Sequence, residues 1–213
     1  MVLDIITTAC ILFSSVVLHE YAHGWVAYRL GDSTAKDAGR LTLNPLKHID
    51  PVGTLFLPGI LLAMRAMGIG TVLFGWAKPV PVNFNRLRNP KRSMIWVGLA
   101  GPAINIIVAF ICAKLLISDF VSLHVAELLL VAVFINLLLA IFNMVPIPPL
   151  DGSRLVMGLL PQKYLIPYAR LERYGILIVV LLISATNFFE NIILPIIEFS
   201  GNLLGVNFRG VLF

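Results

Sequence analysis

"SSVVLHEYAHGWVAYRL", Ser14 to Leu30, sets two histidines and a glutamate inside an apolar run near the start of the chain. An α-helix turns about 100° per residue, so His19 and His23 stand roughly 40° apart on one face, one turn above the other. Both imidazoles can therefore reach one metal ion. Glu20 points to the side, off the ligand axis but close enough to reach a water beside the metal. The pattern H-E-x-x-H is the zinc-hydrolase signature, with the glutamate as general base. The alternative reading is a set of polar residues hydrogen-bonded inside a helical bundle. Cost weighs against it, because a charged group at the centre of a spanning helix is unfavourable by about 2.5 to 3.5 kcal/mol. A bound metal offsets that cost.

The surroundings of the motif decide the fold class. Of 213 residues, 59% are hydrophobic and only 13% charged, too few to cover the surface of a water-soluble domain. The chain reads as an all-α polytopic membrane protein, a single membrane-embedded domain over residues 1–213. Its net charge of +5 is dispersed in short loops, the pattern of cytoplasmic connections between spans, so no nucleic-acid partner is expected. Cys10 and Cys112 both lie in apolar runs and imply no disulfide. The first fifteen residues lack the basic start of a secretory signal and read as part of a retained first span.

About 20 apolar residues cross the hydrocarbon core. Four stretches meet that length: Leu3 to Ala27, Ser93 to Ile117, Val125 to Val145 and Tyr174 to Leu194. The region from Val52 to Ala77 is apolar but broken by Pro58, Gly59, Arg65, Gly68, Gly70 and Gly75, and basic residues flank it on both sides. It reads as an even number of crossings or a re-entrant excursion, giving five to six transmembrane helices in all. "GRLTLN" (Gly39 to Asn44) and "AKPVPVNF" (Ala77 to Phe84) read as extended segments, candidates for a short membrane-associated β element. With the basic loops inside, the histidines lie in the cytoplasmic third of the first span.

A catalytic zinc needs a third protein ligand and one open position. The candidate is Asp151 in "FNMVPIPPLDGSR", Phe142 to Arg154, where Pro146, Pro148 and Pro149 break an apolar helix at the same depth as the histidines. From this stretch alone, an acid in an exposed Asp-Gly turn accounts for Asp151 equally well.

Taken together, "HEYAH", "LAGPAIN" (Leu99 to Asn105) and "NMVPIPPLDG" (Asn143 to Gly152) resemble, in that order, the site-2 protease family of intramembrane zinc metalloproteases. The flanking "LTLNPLKHIDPVGTL" and "FGWAKPVPVNFNRLRNP" are similar to its compact prokaryotic branch, which carries no PDZ or CBS domain. The resemblance implies one Zn2+ held by His19, His23 and Asp151, with Glu20 as the base that activates water. It implies that Asn143, Pro146 and Pro148 line a substrate groove. Asn105 either packs between helices, supports a ligand or touches substrate. The implied partners are the lipid bilayer and a transmembrane protein substrate, cut in or near its membrane segment. The implied location is the prokaryotic cell membrane, with the active site toward the cytoplasm. A metal or proton transporter that uses the same His and Glu residues is the competing function. It calls for ionisable groups spread along a path, whereas these cluster at one depth.

Overall fold

The computed structural model describes residues 2–68, 75, 77–118 and 121–208. Nine α-helices stand among them, in the order α1 (Val2–Arg29), α2 (Thr34–Asp37), α3 (Leu57–Ala66), α4 (Pro90–Leu116), α5 (Leu123–Asn143), α6 (Gly152–Leu159), α7 (Gln162–Ala169), α8 (Gly175–Ala185) and α9 (Leu194–Leu203).

Helix α4 is the spine, packing along α1, α5 and α6. Its small residues make the close approach possible: Ala109 and Ala113 are fully buried against Leu130, Val133 and Leu137 of α5 and Ile193 and Ile197 near α9. The outward faces are as apolar as the core. Ile106, Ile107, Phe110, Ile111 and Leu115 of α4, and Ile176, Leu177, Val180 and Leu181 of α8, stand about half exposed. In water such a surface would drive aggregation; against lipid it is the expected exterior. The protein is a membrane protein built from helices.

Two helices, α4 and α5, are long and apolar enough to cross a bilayer by themselves, and α7 to α9 add a third span if that bent pair counts as one. At 28 residues, α1 extends about 42 Å, enough to cross, but His19, Glu20 and His23 lower the hydropathy of its second half. The fourth expected span, Tyr174 to Leu194, is not one straight helix. Its path turns by 81° between Ala185 and Phe189. There the Thr186 hydroxyl donates to the Leu182 carbonyl and accepts the Phe188 N–H, so one side chain closes one helix and opens the next. At about 16 Å, α8 covers only half of the hydrocarbon thickness.

Among the described residues there is no strand. Gly39 to Asn44 and Ala77 to Asn83 are irregular instead, with Pro45, Pro79 and Pro81 removing ladder donors. The middle region forms one apolar helical stretch, Pro51–Ala66, opened by Asp50, whose carboxylate accepts the Val52 and Gly53 N–H groups. Its further path to Ala77 runs through residues 69–74 and 76, outside the described set.

The irregular segment 77–83 is tied down at its ends and middle. Lys78 N–H donates to the His48 carbonyl, the Arg40 guanidinium to the Lys78 carbonyl at 2.7 Å, and Asn83 N–H to Asp32 Oδ2 at 2.6 Å. Asp32 sits just past Gly31, whose φ of 113° allows the chain to leave α1 sharply. The segment is thereby strapped across the end of α1 that carries the histidines.

Candidate metal centre

A stripe of α1 is buried at one residue per turn, Ser15, His19, His23 and Ala27, with Val17 and Gly24 buried beside it. The stripe faces α4, and the two imidazoles therefore enter the bundle rather than lipid. Each ring is held by its Nδ1. His23 Nδ1–H donates to the Val97 carbonyl at 2.6 Å, and His19 Nδ1–H donates to Asn105 Oδ1 at 2.5 Å. Both partners are acceptors, so the proton of each neutral ring sits on Nδ1 and the lone pair on Nε2.

The two Nε2 atoms converge, 3.0 Å apart, and Asp151 Oδ2 completes a triangle at 2.9 Å from His19 and 3.2 Å from His23. Among the described residues this is the one group of three such side chains able to share an ion. Three electron-pair donors facing one point repel each other unless a cation lies between them. Tetrahedral ligands on zinc at about 2.0 to 2.1 Å stand about 3.3 to 3.4 Å apart, so the triangle needs only a few tenths of an ångström of expansion to hold zinc. Two imidazoles and a carboxylate leave the fourth position open. The donor set fits Zn2+.

Asp151 reaches this point because it does not do what its position invites. It immediately precedes α6, yet its side chain makes no capping bond; the turn is closed instead by backbone bonds such as Leu150 N–H to Ile147 O. Gly98 allows the turn to dock on α4, since a Cβ there would meet the Asp151 carbonyl oxygen at 3.1 Å and Arg154 Cβ at 2.8 Å.

Glu20 stands at the edge of the same cavity of about 260 Å3, whose lining includes His19, His23, Asp151, Asn143 and Val80. Its Oε2 accepts the Val80 N–H at 2.7 Å. The strapped segment thus orients the glutamate, while Pro79 and Val82 form part of the wall.

The four residues expected at a substrate groove separate. Asn143 lines the cavity, its Nδ2 donating to Leu139 O of its own helix at 2.9 Å, which leaves its oxygen able to accept from a substrate N–H. Pro148 is fully buried, and Pro149 rather than Pro146 or Pro148 is in the lining; the Pro146 carbonyl accepts the Tyr168 hydroxyl at 2.7 Å. Asn105 is completely buried and absent from the lining, its Oδ1 accepting from His19 and its Nδ2 donating to Asn136 Oδ1 at 2.8 Å. His48, also buried, donates from Nε2 to Thr42 O at 2.8 Å, away from the cluster.

Residues that the sequence reading did not single out also shape the site. The Val97 carbonyl and Val80 N–H act through the backbone, which no residue pattern reveals. Arg154, the last residue of the quoted proline-rich stretch, lines the cavity and is held by Glu172 at 2.7 Å. Gly101, inside the quoted "LAGPAIN", did carry a signal: a Cβ there would collide with the Nε2 atoms of both histidines. Gly101→Ala is therefore expected to displace the imidazoles and lower zinc occupancy of the purified protein by about tenfold or more. Gly59→Ala, whose Cβ meets nothing within 4 Å, should leave occupancy unchanged, and metal analysis of the two proteins checks the pair.

Comparison with known proteins gives matches along most of the chain. Residues 114–186 match the model of peptidase family M50, a span that includes α5 and the Asp151 turn. Two relatives share the name "Putative zinc metalloprotease". YwhC of Bacillus subtilis is 39% identical over 80% of this chain and 77% of its own length. Rip2 of Mycolicibacterium smegmatis is 30% identical over 88% of this chain and 71% of its own length. Zinc metalloprotease MJ0392 of Methanocaldococcus jannaschii is 28% identical over 72% of this chain and 34% of its length. No solved structure matches the chain significantly.

Proposed function

Because the chain belongs to peptidase family M50, the site-2 protease family, and is a zinc metallopeptidase, we propose that it hydrolyses peptide bonds in or near transmembrane segments of other membrane proteins. His19, His23 and Asp151 hold the zinc and Glu20 is the general base. The observation that carries this reading is the convergence of two Nδ1-anchored imidazoles and one uncommitted carboxylate on a single point, with a second carboxylate one residue from the first ligand.

Zinc, when bound, supplies a Lewis acid that polarises the peptide carbonyl and acidifies water. The remaining steps fall to the chain. Glu20, held through Oε2 by Val80, takes the proton of the attacking water and returns it to the departing amine. The Asn143 oxygen accepts an N–H of the substrate backbone. A helical substrate hides its N–H and C=O groups in its own bonds, so it must unwind locally before it is cut, and the polar cavity wall replaces the partners it loses.

Depth supports the intramembrane assignment. His23 lies six residues, about 9 Å, from Arg29 at the end of α1, and Val97 lies about 10 Å from the start of α4 at Pro90, followed by Lys91 and Arg92. Both helices thus place the site one or two turns below a basic membrane face, which by charge bias is cytoplasmic. In the proposed topology α1, α4 and α5 cross a cell membrane and the bent α8–α9 pair completes the bundle.

The test is purified protein reconstituted in lipid with a single-span substrate, its fragments mapped by mass spectrometry. Cleavage is expected within the membrane segment or its edge, and should fall about tenfold when helix-weakening residues near the scissile bond are replaced by leucine. Cleavage confined to soluble regions, or indifferent to helix stability, contradicts the proposal.

A further inference from the structure

The hydrogen bond that orients His19 is the last link of a buried chain through three helices. Asn105 accepts from His19 through Oδ1 and donates from Nδ2 to Asn136 Oδ1 at 2.8 Å. Asn136 in turn donates from its own Nδ2 to the Ala132 carbonyl at 2.8 Å and to Ser15 Oγ at 3.0 Å. Asn105 and Asn136 are at most 1% exposed and Ser15 is 4% exposed, so the two amides are shielded from solvent.

The chain has a direction, and a backbone atom sets it. A carbonyl oxygen can only accept, so the side of Asn136 that faces Ala132 must be its amide nitrogen. The opposite side is then its oxygen, which must receive a donor, and this turns the Nδ2 of Asn105 toward it. That leaves the Asn105 oxygen for His19, whose Nδ1 must carry the proton. Reversing either amide would put two acceptors or two donors face to face in a buried site, at a cost of about 1 to 3 kcal/mol for each group left unsatisfied. The tautomer of His23 is fixed by the Val97 carbonyl directly; that of His19 is fixed through Asn105, whose Nδ2 is held at 2.8 Å by the Asn136 oxygen that the Ala132 carbonyl sets, and at the longer distance of 3.5 Å by the Ser15 carbonyl.

We propose that Asn136 is a positioning residue of the metal centre: acting through Asn105, it decides which ring nitrogen of His19 is left to bind zinc. The proposal rests on reading His19 as a zinc ligand. Neither Asn136 nor Ala132 lines the cavity of the metal cluster; both line a separate one of about 280 Å3 with Ser14 and Ser15, and the role of Asn136 is to keep the Nε2 lone pair presented. A buried aspartic acid in its neutral form has the same shape and can repeat both bonds, its O–H to Ala132 and its C=O to Asn105. Leucine can repeat neither. The Ser15 hydroxyl is a side branch that accepts from Asn136 without setting the direction; the Ser15 carbonyl, which Ser15→Ala retains, is the longest contact of Asn105 Nδ2 at 3.5 Å.

The experiment is competition for zinc between a fluorescent chelator and the full-length, zinc-loaded protein in lipid nanodiscs. Asn136→Leu is expected to weaken zinc binding by about tenfold, the lower end of the effect of removing a direct support of a ligand, while Asn136→Asp and Ser15→Ala stay within about twofold of wild type. Wild-type affinity in folded Asn136→Leu, or an equal loss in Asn136→Asp or Ser15→Ala, overturns the proposal. If Asn136→Leu does not fold, the smaller truncation Asn136→Ala replaces it, with the same expected loss and the same overturning result. Histidine 15N spectra of the zinc-loaded wild type add a readout that needs no variant: His19 should carry its proton on Nδ1, and a proton on Nε2 overturns the relay. His19→Ala separates the two layers of argument. Zinc retained in that protein removes the ligand reading itself; zinc lost there but kept in Asn136→Leu removes only the relay.

Discussion

Glu20→Gln is expected to abolish cleavage of a transmembrane substrate, with a fall of about 10^3-fold in rate, while the purified protein keeps its zinc. The carboxamide has the shape of the carboxylate, and its oxygen can still accept the Val80 N–H that holds Glu20 at 2.7 Å. What disappears is basicity. A positioned general base contributes about 10^2- to 10^4-fold, and Glu20 is proposed to serve twice, first removing a proton from water and then delivering one to the amine. Side-by-side assays of metal content and fragment formation separate this loss from misfolding. Full activity in Glu20→Gln would remove the glutamate from the mechanism, and loss of zinc along with activity would make it a structural residue.

Asp151→Asn is expected to lose zinc and activity together. Asp151 supplies the one anionic atom of the triangle, and its side chain is spared from capping α6. Replacing it leaves two neutral imidazoles, and zinc affinity should fall by more than about 100-fold, since losing a ligand exceeds the cost of losing a ligand's support. His48→Ala is the matched control. It removes another buried histidine that bonds Thr42, and zinc should be retained. Full zinc occupancy in Asp151→Asn would mean that a different third ligand completes the site.

Much of this site was legible before any coordinates. The spacing of His19 and His23 fixes their common helix face, and the prolines before Asp151 mark the break that brings an acid to the same depth. The long helices α1, α4 and α5 follow from apolar run length alone. What was not legible depends on pairings far apart in sequence. His19 meets Asn105 across 86 positions and Asn136 meets Ser15 across 121; helix packing makes these neighbours, and no local pattern records it. The bend after Ala185 rests on the bonds of one threonine hydroxyl, which the sequence does not distinguish from the neighbouring Ser184 and Asn187. The expected strands failed for a related reason. Alternation in Gly39 to Asn44 and prolines in Ala77 to Phe84 permit extended backbone, but a strand also needs a partner, and these segments spend their bonds on Asp32, Arg40, His48 and Glu20 instead.

The spare shape of the centre explains why small residues matter as much as charged ones. Gly98 and Gly101 on α4 give the Asp151 turn and the two imidazoles room to meet, and the carbonyl of Val97, the residue before Gly98, anchors His23. One helical turn of α4 thus provides space and orientation while contributing no ligand.

X-ray absorption at the zinc edge on the purified, active protein tests the central claim most directly. Two imidazole nitrogens and oxygen neighbours, all at about 2.0 to 2.2 Å with no sulfur, are the result expected from His19, His23 and Asp151. A sulfur neighbour at about 2.3 Å, which would bring in Cys10 or Cys112, or a third imidazole would contradict it.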